Sequence, residues 1–314
     1  REAFMRIGID LGGTNIAAGL VDENMNILCK GSVPTLAERP FEDIVKDMGM
    51  LVLDLCKKME VEPFGLTSVG IGAPGTPAKE KGEILFSNNL NWHNAPLVKE
   101  LQKYVPVPVK LDNDANAAAL GEVLAGAARG SDSCILVTLG TGVGGGIILD
   151  GKVYDGINHA GAEVGHTVLV SGGEPCSCGR RGCWESYASA TALIRMGHAA
   201  CAAHPDSHLA EVKKENGKLN GYLIFKASEE GCEAAKQVID QYLFYVAEGI
   251  TNLVNIFQPA SVVIGGGICA QGERILGPIR SHVTGNVFCK QVSLPEIRCA
   301  ELGNDAGIIG AAFL

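Results

Sequence analysis

Cys176, Cys178 and Cys183 fall within eight residues as C-x-C-x4-C, and Gly179 and Gly182 let the backbone between them fold back. Three thiolates facing one point, joined by His166 ten residues upstream, are the donor set of a closed tetrahedral zinc site with no position left for water. A metal held this way is structural. Arg180 and Arg181 lie inside the loop, where positive charge lowers a thiol pKa and favours the ligating thiolate. The competing reading is three unconnected cysteines and an unrelated histidine. The spacing favours zinc, although C-x-C is a less common opening than the C-x-x-C of ordinary fingers. Glu163 stands just ahead of the histidine and Glu185 just behind the last cysteine. A metal would draw these carboxylates together, and the second ring nitrogen of a ligating histidine needs a partner that a ligand hydroxyl can supply. Without metal, both are ordinary surface charges.

A second kind of chemistry is suggested by glycine turns. Arg6 to Asp10 is a β-rich run ending in Leu11-Gly12-Gly13-Thr14, and Ile16 to Val21 is again strand-like. The pattern recurs at Cys134 to Leu139, the run Gly140-Thr141-Gly142-Val143-Gly144-Gly145-Gly146, and Ile147 to Leu149, which predicts two related domains. Successive N–H groups in a turn form an anion-binding concavity, and Thr14 and Thr141 add hydroxyl donors. Asp10 beside the first turn repels phosphate unless a cation lies between them, which points to a magnesium-linked role. One such loop alone is an ordinary hairpin; two at matching places make a two-jawed nucleotide clamp. Gly142 is expected at positive φ, where a branched side chain is excluded. Gly70, Gly72, Gly75 and Gly140, Gly142, Gly145 match G-x-G-x-x-G, but neither turn opens directly into the helix a dinucleotide needs. No G-x-x-x-x-G-K-[ST] run occurs, so a P-loop is excluded.

These groups must be placed by surrounding elements. Val107 to Leu111 reads as a strand feeding Asp112-Asn113-Asp114-Ala115-Asn116 and an alanine-rich helix to about Leu124. Locally, Asp114 is as good a helix cap as a general base; at a helix N-terminus its carboxylate stays ionised, as a base requires. Thr67 to Ile71 reads as a buried strand. Ser87-Asn88-Asn89-Leu90-Asn91-Trp92 is an amide-rich loop suited to sugar hydroxyls or to capping its own turns. Phe41 to Met59 is predicted helical from Ile44, Met48, Leu51, Val52 and Leu55. Glu233 to Phe257 is predicted as a long core helix from the stripe Ala235, Ile239, Tyr242, Val246, Ile250, Leu253, Phe257. Ser261 to Ile264 is a strand running into Gly265-Gly266-Gly267, with a helix near Gln271 to His282, so that turn lies where a ligand meets strand ends. Asp305 starts a final short helix.

Composition limits the alternatives. The chain has 314 residues, 46% hydrophobic, enough for two ordinary domains. No apolar span of about 20 residues is present, and the start lacks a charged stretch followed by an apolar one, so a cytoplasmic protein without membrane association is expected. Eleven scattered cysteines do not form a secreted disulfide framework. A net charge of −9 argues against binding nucleic acid, which requires neutralised phosphates. Arg1 to Phe4, ahead of Met5, are set aside as an expression leftover.

Together, Asp10-Leu11-Gly12-Gly13-Thr14, Asn113-Asp114-Ala115-Asn116, Gly140 to Gly146, Glu163-Val164-Gly165-His166, the cysteine loop with Glu185, and Gly265-Gly266-Gly267 resemble the ROK family of sugar kinases and related repressors across the whole chain. The resemblance implies a duplicated actin-like, ribonuclease-H-like α/β fold with ATP in an interdomain cleft. It implies a small domain over residues 1–122, with the final helix 303–314 packing on it, and a large domain over 123–302 carrying the zinc loop. Residue by residue, it implies phosphate loops at Asp10, Gly12, Gly13, Thr14 and at Gly140, Thr141, Gly142, Gly144, with Gly265, Gly266 and Gly267 near the adenosine. Asn89, Asn113, Asp114, Glu163, His166 and Glu185 would hold a hexose, Asp114 as base, and His166, Cys176, Cys178 and Cys183 structural zinc. Asn88 competes with Asn89. The implied reaction is ATP- and magnesium-dependent phosphorylation of the 6-hydroxyl of glucose; N-acetylmannosamine, fructose, allose and N-acetylglucosamine stand behind glucose. A homodimer or higher homo-oligomer is expected. The rival, a sugar-responsive repressor, needs a DNA-binding domain ahead of Asp10, where the sequence leaves no room.

Overall fold

The computed structural model describes residues 4–314; Arg1 to Ala3, most of the segment set aside ahead of Met5, lie outside the described residues. The first strand, β1 (Arg6–Leu11), carries Ile7, Ile9 and Leu11 without exposure. It pairs antiparallel with β2 (Asn15–Val21), from Arg6↔Val21 to Leu11↔Ile16, and β2 pairs with β3 (Ile27–Pro34). Helix α1 (Phe41–Lys58) buries Ile44, Met48, Val52 and Leu55 at helical spacing, with Glu42 and Asp43 in its first turn and Lys57 and Lys58 in its last, as the helix dipole favours. Strand β4 (Ser68–Ala73) runs parallel to β1. A small antiparallel sheet of β5 (Thr76–Ala78), β6 (Glu83–Ser87) and β7 (Trp92–Ala95) follows. Then come α2 (Leu97–Leu101), β8 (Val109–Asn113) parallel to β4, and α3 (Asp114–Ala125). The larger sheet has the order β3-β2-β1-β4-β8.

The second half opens with β9 (Cys134–Leu139), β10 (Val143–Leu149) and β11 (Lys152–Tyr154). After a long loop with the cysteine cluster come α4 (Glu185–Ala188), α5 (Ala190–Ala203), α6 (His208–Asn216), α7 (Gly221–Glu229) and α8 (Glu233–Phe257). The chain ends with β12 (Ser261–Gly265), α9 (Glu273–Asn286), β13 (Glu296–Cys299) and α10 (Asp305–Ala312). The sheet order β11-β10-β9-β12-β13 repeats that of the first sheet, so the duplicated strand–turn–strand expectation extends to five strands. The stripe predicted for α8 is buried from Ala235 to Leu253. Its Gly249 receives the Trp184 ring, whose Nε1 donates to Tyr245 O at 2.8 Å, fixing the end of the cysteine loop to α8.

Several boundaries differ from the sequence reading. The strand expected over Thr67–Ile71 continues to Ala73 because Gly72 and Ala73 pair with Asp112 and Asn113. The helix expected from Gln271 begins at Glu273, behind a 3-10 turn over Gly267–Gln271. Strands β3, β5 to β7, β11 and β13 were not marked by strong apolar alternation. By contacts, one compact unit takes the described part of Arg1–Leu136 with Gly145–Ala162 and Ala300–Leu314, and the other takes Val137–Gly144 and Glu163–Cys299. The division therefore departs from a cut after residue 122: Gly146 has no side chain and lies against Ala115 and Ala119 of α3, drawing its stretch into the first unit.

Helix α10 packs on β1, β4 and α3. Its Ile308 and Ala311 carbonyls come so close to Gly8 and Gly70 that a Cβ at either would overlap them. The approach to this helix is held by Glu122, fully buried, whose carboxylate accepts N–H bonds from Ala127 (2.7 Å), Glu301 (3.2 Å) and Leu302 (3.0 Å). Among the described residues, no helix is long and apolar enough to cross a membrane.

Candidate active site

In the first unit the β1–β2 hairpin closes through Gly12 N–H on Asn15 O at 2.9 Å. Thr35, without exposure just past β3, supports it twice: its hydroxyl donates to Gly12 O at 2.6 Å and its N–H to Thr14 O at 2.8 Å. Sequence reading missed Thr35, since neither β3 nor its contact with a distant turn has a spacing signature. Gly13 lies against Asn89: a Cβ there would sit 3.6 Å from Asn89 Cβ. The turn carrying Asn89 is closed by Asn91 N–H on Asn88 O at 3.4 Å. The structure thus brings Asn89 to the first glycine loop.

Asp10 ends this strand half-buried, and Gly307 of α10 leaves it room; a Cβ at Gly307 would lie 2.8 Å from its carboxyl carbon. Burial, and then the charge of Asp114, push the Asp10 carboxyl from its ordinary 3.8 up to about 6. Asp114 is itself raised by burial, against the N–H groups that lower it. Two buried carboxylates, one of them raised further by the other's charge, make a place where a cation or a proton is welcome. The helix cap is Asn113: its Oδ1 accepts from Ala115 N (2.9 Å) and Asn116 N (3.3 Å). Asp114 is therefore not the cap: it is the first residue of α3, and its carboxylate accepts the Ala115 N–H at 2.9 Å. Asn113 Nδ2 also donates to Gly75 O at 3.2 Å, and the Asn113 side chain hydrogen-bonds the Asp114 carboxylate.

In the second unit, Gly140 N–H bonds Gly142 O at 3.0 Å, while Gly140 O accepts from Ala190 N–H and Thr141 O from the Thr191 hydroxyl, each at 2.8 Å. The expectation of positive φ at Gly142 is not met, since the positive-φ glycines do not include it. Glycine is required there for a different reason: a Cβ would overlap the Glu185 carboxylate, whose Oε2 accepts Val143 N–H at 3.0 Å. Positive φ is found instead at Gly266 (107°), packed on Leu139 O, so the turn after β12 lies against the strand that leads into Gly140. Gly265 closes β12 and Gly267 starts the following 3-10 turn. Glu163 precedes the 3-10 turn Val164–His166, whose Gly165 packs on Val143 O. Gly144 lies within β10.

The ligand atoms of His166, Cys176, Cys178 and Cys183 all lie within 4.8 Å of one another. Cys178 and Cys183 sulfurs are 3.6 Å apart and Cys176 Sγ is 3.5 Å from His166 Nδ1. Thiolates about 2.3 Å from a tetrahedral ion sit about 3.8 Å apart, so this donor set fits zinc. Cys183 is pushed up to about 12 by burial and its sulfur neighbours, while the Arg180 N–H draws Cys178 down. Arg180 therefore acts on the cluster first through its backbone; its guanidinium donates to His166 O at 3.3 Å. Arg181 turns to Gly172 O at 3.4 Å. With Nδ1 facing the sulfurs, His166 Nε2 is the nitrogen left for a second partner. Glu185 is not a free surface charge: its Oε1 lies 3.7 Å from Cys176 Sγ and 3.4 Å from Ser177 Oγ.

The model of the ROK family matches residues 6–314. Glucokinases of Halalkalibacterium halodurans and Thermotoga maritima are 36% and 39% identical over 98% of this chain and 94% and 96% of theirs. The xylose repressor of Bacillus subtilis is 30% identical, over all of this chain and 77% of its own length. Among solved structures, a ROK family glucokinase from Streptomyces griseus in complex with glucose and AMPPNP is 35% identical, with a TM-score of 0.82 over 98% of each chain.

Proposed function

The chain belongs to the ROK family, and we propose that it is an ATP-dependent hexose kinase that phosphorylates glucose at its 6-hydroxyl. The observation that carries the reading is the pairing of Asp10 and Asp114 beside a glycine turn, in a chain similar over nearly its full length to glucokinases.

Phosphoryl transfer asks the protein for positioning and charge stabilisation rather than covalent chemistry. Asp114 takes the proton from the 6-hydroxyl; its burial makes the carboxylate a stronger base than an exposed aspartate. The N–H groups and threonine hydroxyls of Gly12 to Thr14 and of Gly140 to Gly144 receive phosphate oxygens, and Gly265 to Gly267 take the adenosine. Asn89, Asn113, Glu163, His166 and Glu185 hold the sugar hydroxyls. Asp10 is suited to the magnesium that accompanies ATP, because burial, and then the neighbouring Asp114, make its charge costly until a cation arrives. Magnesium held there would neutralise charge developing on the transferred phosphoryl group. Zinc would be held by His166, Cys176, Cys178 and Cys183 as a structural ion, with His166 Nε2 turned to the sugar.

The test is a coupled ADP-release assay across a hexose panel. Glucose should give the highest kcat/KM, ahead of N-acetylmannosamine, fructose and allose; no hexose-dependent ADP release rejects the reading. Similarity to the xylose repressor motivates a second reading, sugar-sensitive DNA binding, which a gel shift checks and which the net charge of −9 disfavours.

A further inference from the structure

A cluster of charges in the first unit lies outside the residues given roles above. Lys79 follows β5, and its ammonium is 2.5 Å from both Asp112 Oδ2 and Asp155 Oδ2. These are not surface pairs: the Asp112 and Asp155 side chains are 4% and 13% exposed. Asp112 is the residue directly before Asn113 and Asp114, and its other oxygen accepts from Asn113 N–H (2.7 Å) and Asn116 Nδ2 (2.9 Å). One carboxylate therefore fixes the first turn of α3 and binds the ammonium. Asp155 also takes His159 Nδ1 at 2.8 Å, and His159 Nε2 meets Glu80 at 3.2 Å.

The stretch from Asp155 to Ala162 needs such a hold. Gly156, His159 and Ala162 all have positive φ (79°, 58° and 64°), and for two of them that is a region L side chains disfavour. Its internal hydrogen bond, Gly161 N–H on Asp155 O at 2.7 Å, starts from the residue that Lys79 grips. The stretch runs straight into Glu163. Burial works against the Lys79 charge, yet the two carboxylates outweigh it and raise its pKa; Asp155 is lowered against burial by Lys79 and His159.

We propose that Lys79 is a positioning residue for sugar binding, tying the β8–α3 corner that carries Asn113 and Asp114 to the strained segment that leads into Glu163. The inference rests on the kinase reading for the identity of the ligand. It does not involve the nucleotide loops, so its effect should be selective. Removing the ammonium leaves the two carboxylates without the cation they share, and each end of the tie should loosen.

The experiment compares Lys79→Met, Lys79→Arg and Asp155→Asn with the wild type by steady-state kinetics and by amide hydrogen exchange of the ligand-free proteins. Lys79→Met should speed exchange over residues 155–162 and raise the glucose KM about tenfold or more, with the ATP KM within about twofold. Lys79→Arg, which keeps the charge, should recover most of the glucose KM. Asp155→Asn keeps the Lys79–Asp112 pair and covers the case in which Lys79→Met does not fold; it should show the same selectivity at about threefold. The proposal is overturned by unchanged exchange over 155–162, by faster exchange with an unchanged glucose KM, or by equal rises in both KM values without rescue by arginine. Wild-type protein that turns over no hexose would reject the kinase reading by itself, and with it the sugar as the ligand being positioned; the exchange comparison would still show whether the tie exists.

Discussion

The turn after β1 follows Ile9-Asp10-Leu11-Gly12, and the turn after β9 follows Val137-Thr138-Leu139-Gly140. The position that carries a carboxylate in one hairpin therefore carries a hydroxyl in the other. Their supports differ too. Thr35, just past β3, holds the first turn, whereas Ala190, Thr191 and Glu185 hold the second and the residue after it. Glu185 in turn touches Cys176 and Ser177. One sheet plan, used twice, thus supplies an acidic loop whose charge is tuned by burial and by a second carboxylate, and a neutral loop linked to the Cys/His knot. In the proposed kinase, duplication would let both turns take phosphate, and divergence would leave the base and the cation site to the first.

If the chemistry belongs to the acidic half, Asp114→Asn should give the largest effect, a loss of about 10² to 10⁴ in kcat. Asparagine keeps the shape and can hydrogen-bond the hydroxyl, but it cannot accept the proton. Because Asn113 is the helix cap and burial already raises the Asp114 pKa, the melting temperature should not fall, and near wild-type turnover would remove Asp114 as the base.

Asp10→Asn should separate stability from activity. The Asp10 pKa is raised from 3.8 to about 6, so the native state binds more protons than the unfolded chain between those values. Its stability therefore falls as pH rises from about 4 through about 6, and the full cost is present above that. Asparagine removes the cost: denaturant unfolding at pH 8 should show a gain of at most about 3 kcal/mol, absent below pH 4, together with weakened magnesium-dependent turnover. Equal stability of the two proteins at pH 8 would mean that the ionised Asp10 carboxylate carries no such cost in the folded protein.

The smallest effect tests the neutral half. Cys178→Ser should abolish stoichiometric zinc while leaving most of the fold, since a large unit does not depend on its metal as a small finger does. The glucose KM should rise about tenfold through His166, and the ATP KM about threefold through Glu185 and the second turn. Full activity in metal-free wild-type protein would break the link between knot and loop.

Periodic and clustered features were legible in the sequence. Helix α8 was readable because its stripe runs for about six turns, and the Cys/His cluster because three cysteines sit in one loop. The duplication was readable because each turn is flanked by apolar runs. Contacts between distant segments were not. Thr35, Glu122 and Lys79 act on residues far along the chain, and each is a common residue type in an unremarkable stretch. Gly142 shows the same limit: its need for glycine was foreseen, but the cause is a glutamate 43 residues later rather than its own backbone angle.

The central claim, phosphoryl transfer to the 6-hydroxyl of a hexose, is tested most directly by comparing ADP release with glucose and with 6-deoxyglucose. The account predicts rapid turnover with glucose, none above the water background with 6-deoxyglucose, and competitive inhibition by the deoxy sugar, which keeps the hydroxyls that Asn113, Glu163, His166 and Glu185 would hold. Turnover of 6-deoxyglucose at a rate comparable to glucose, or no turnover of glucose, would contradict it.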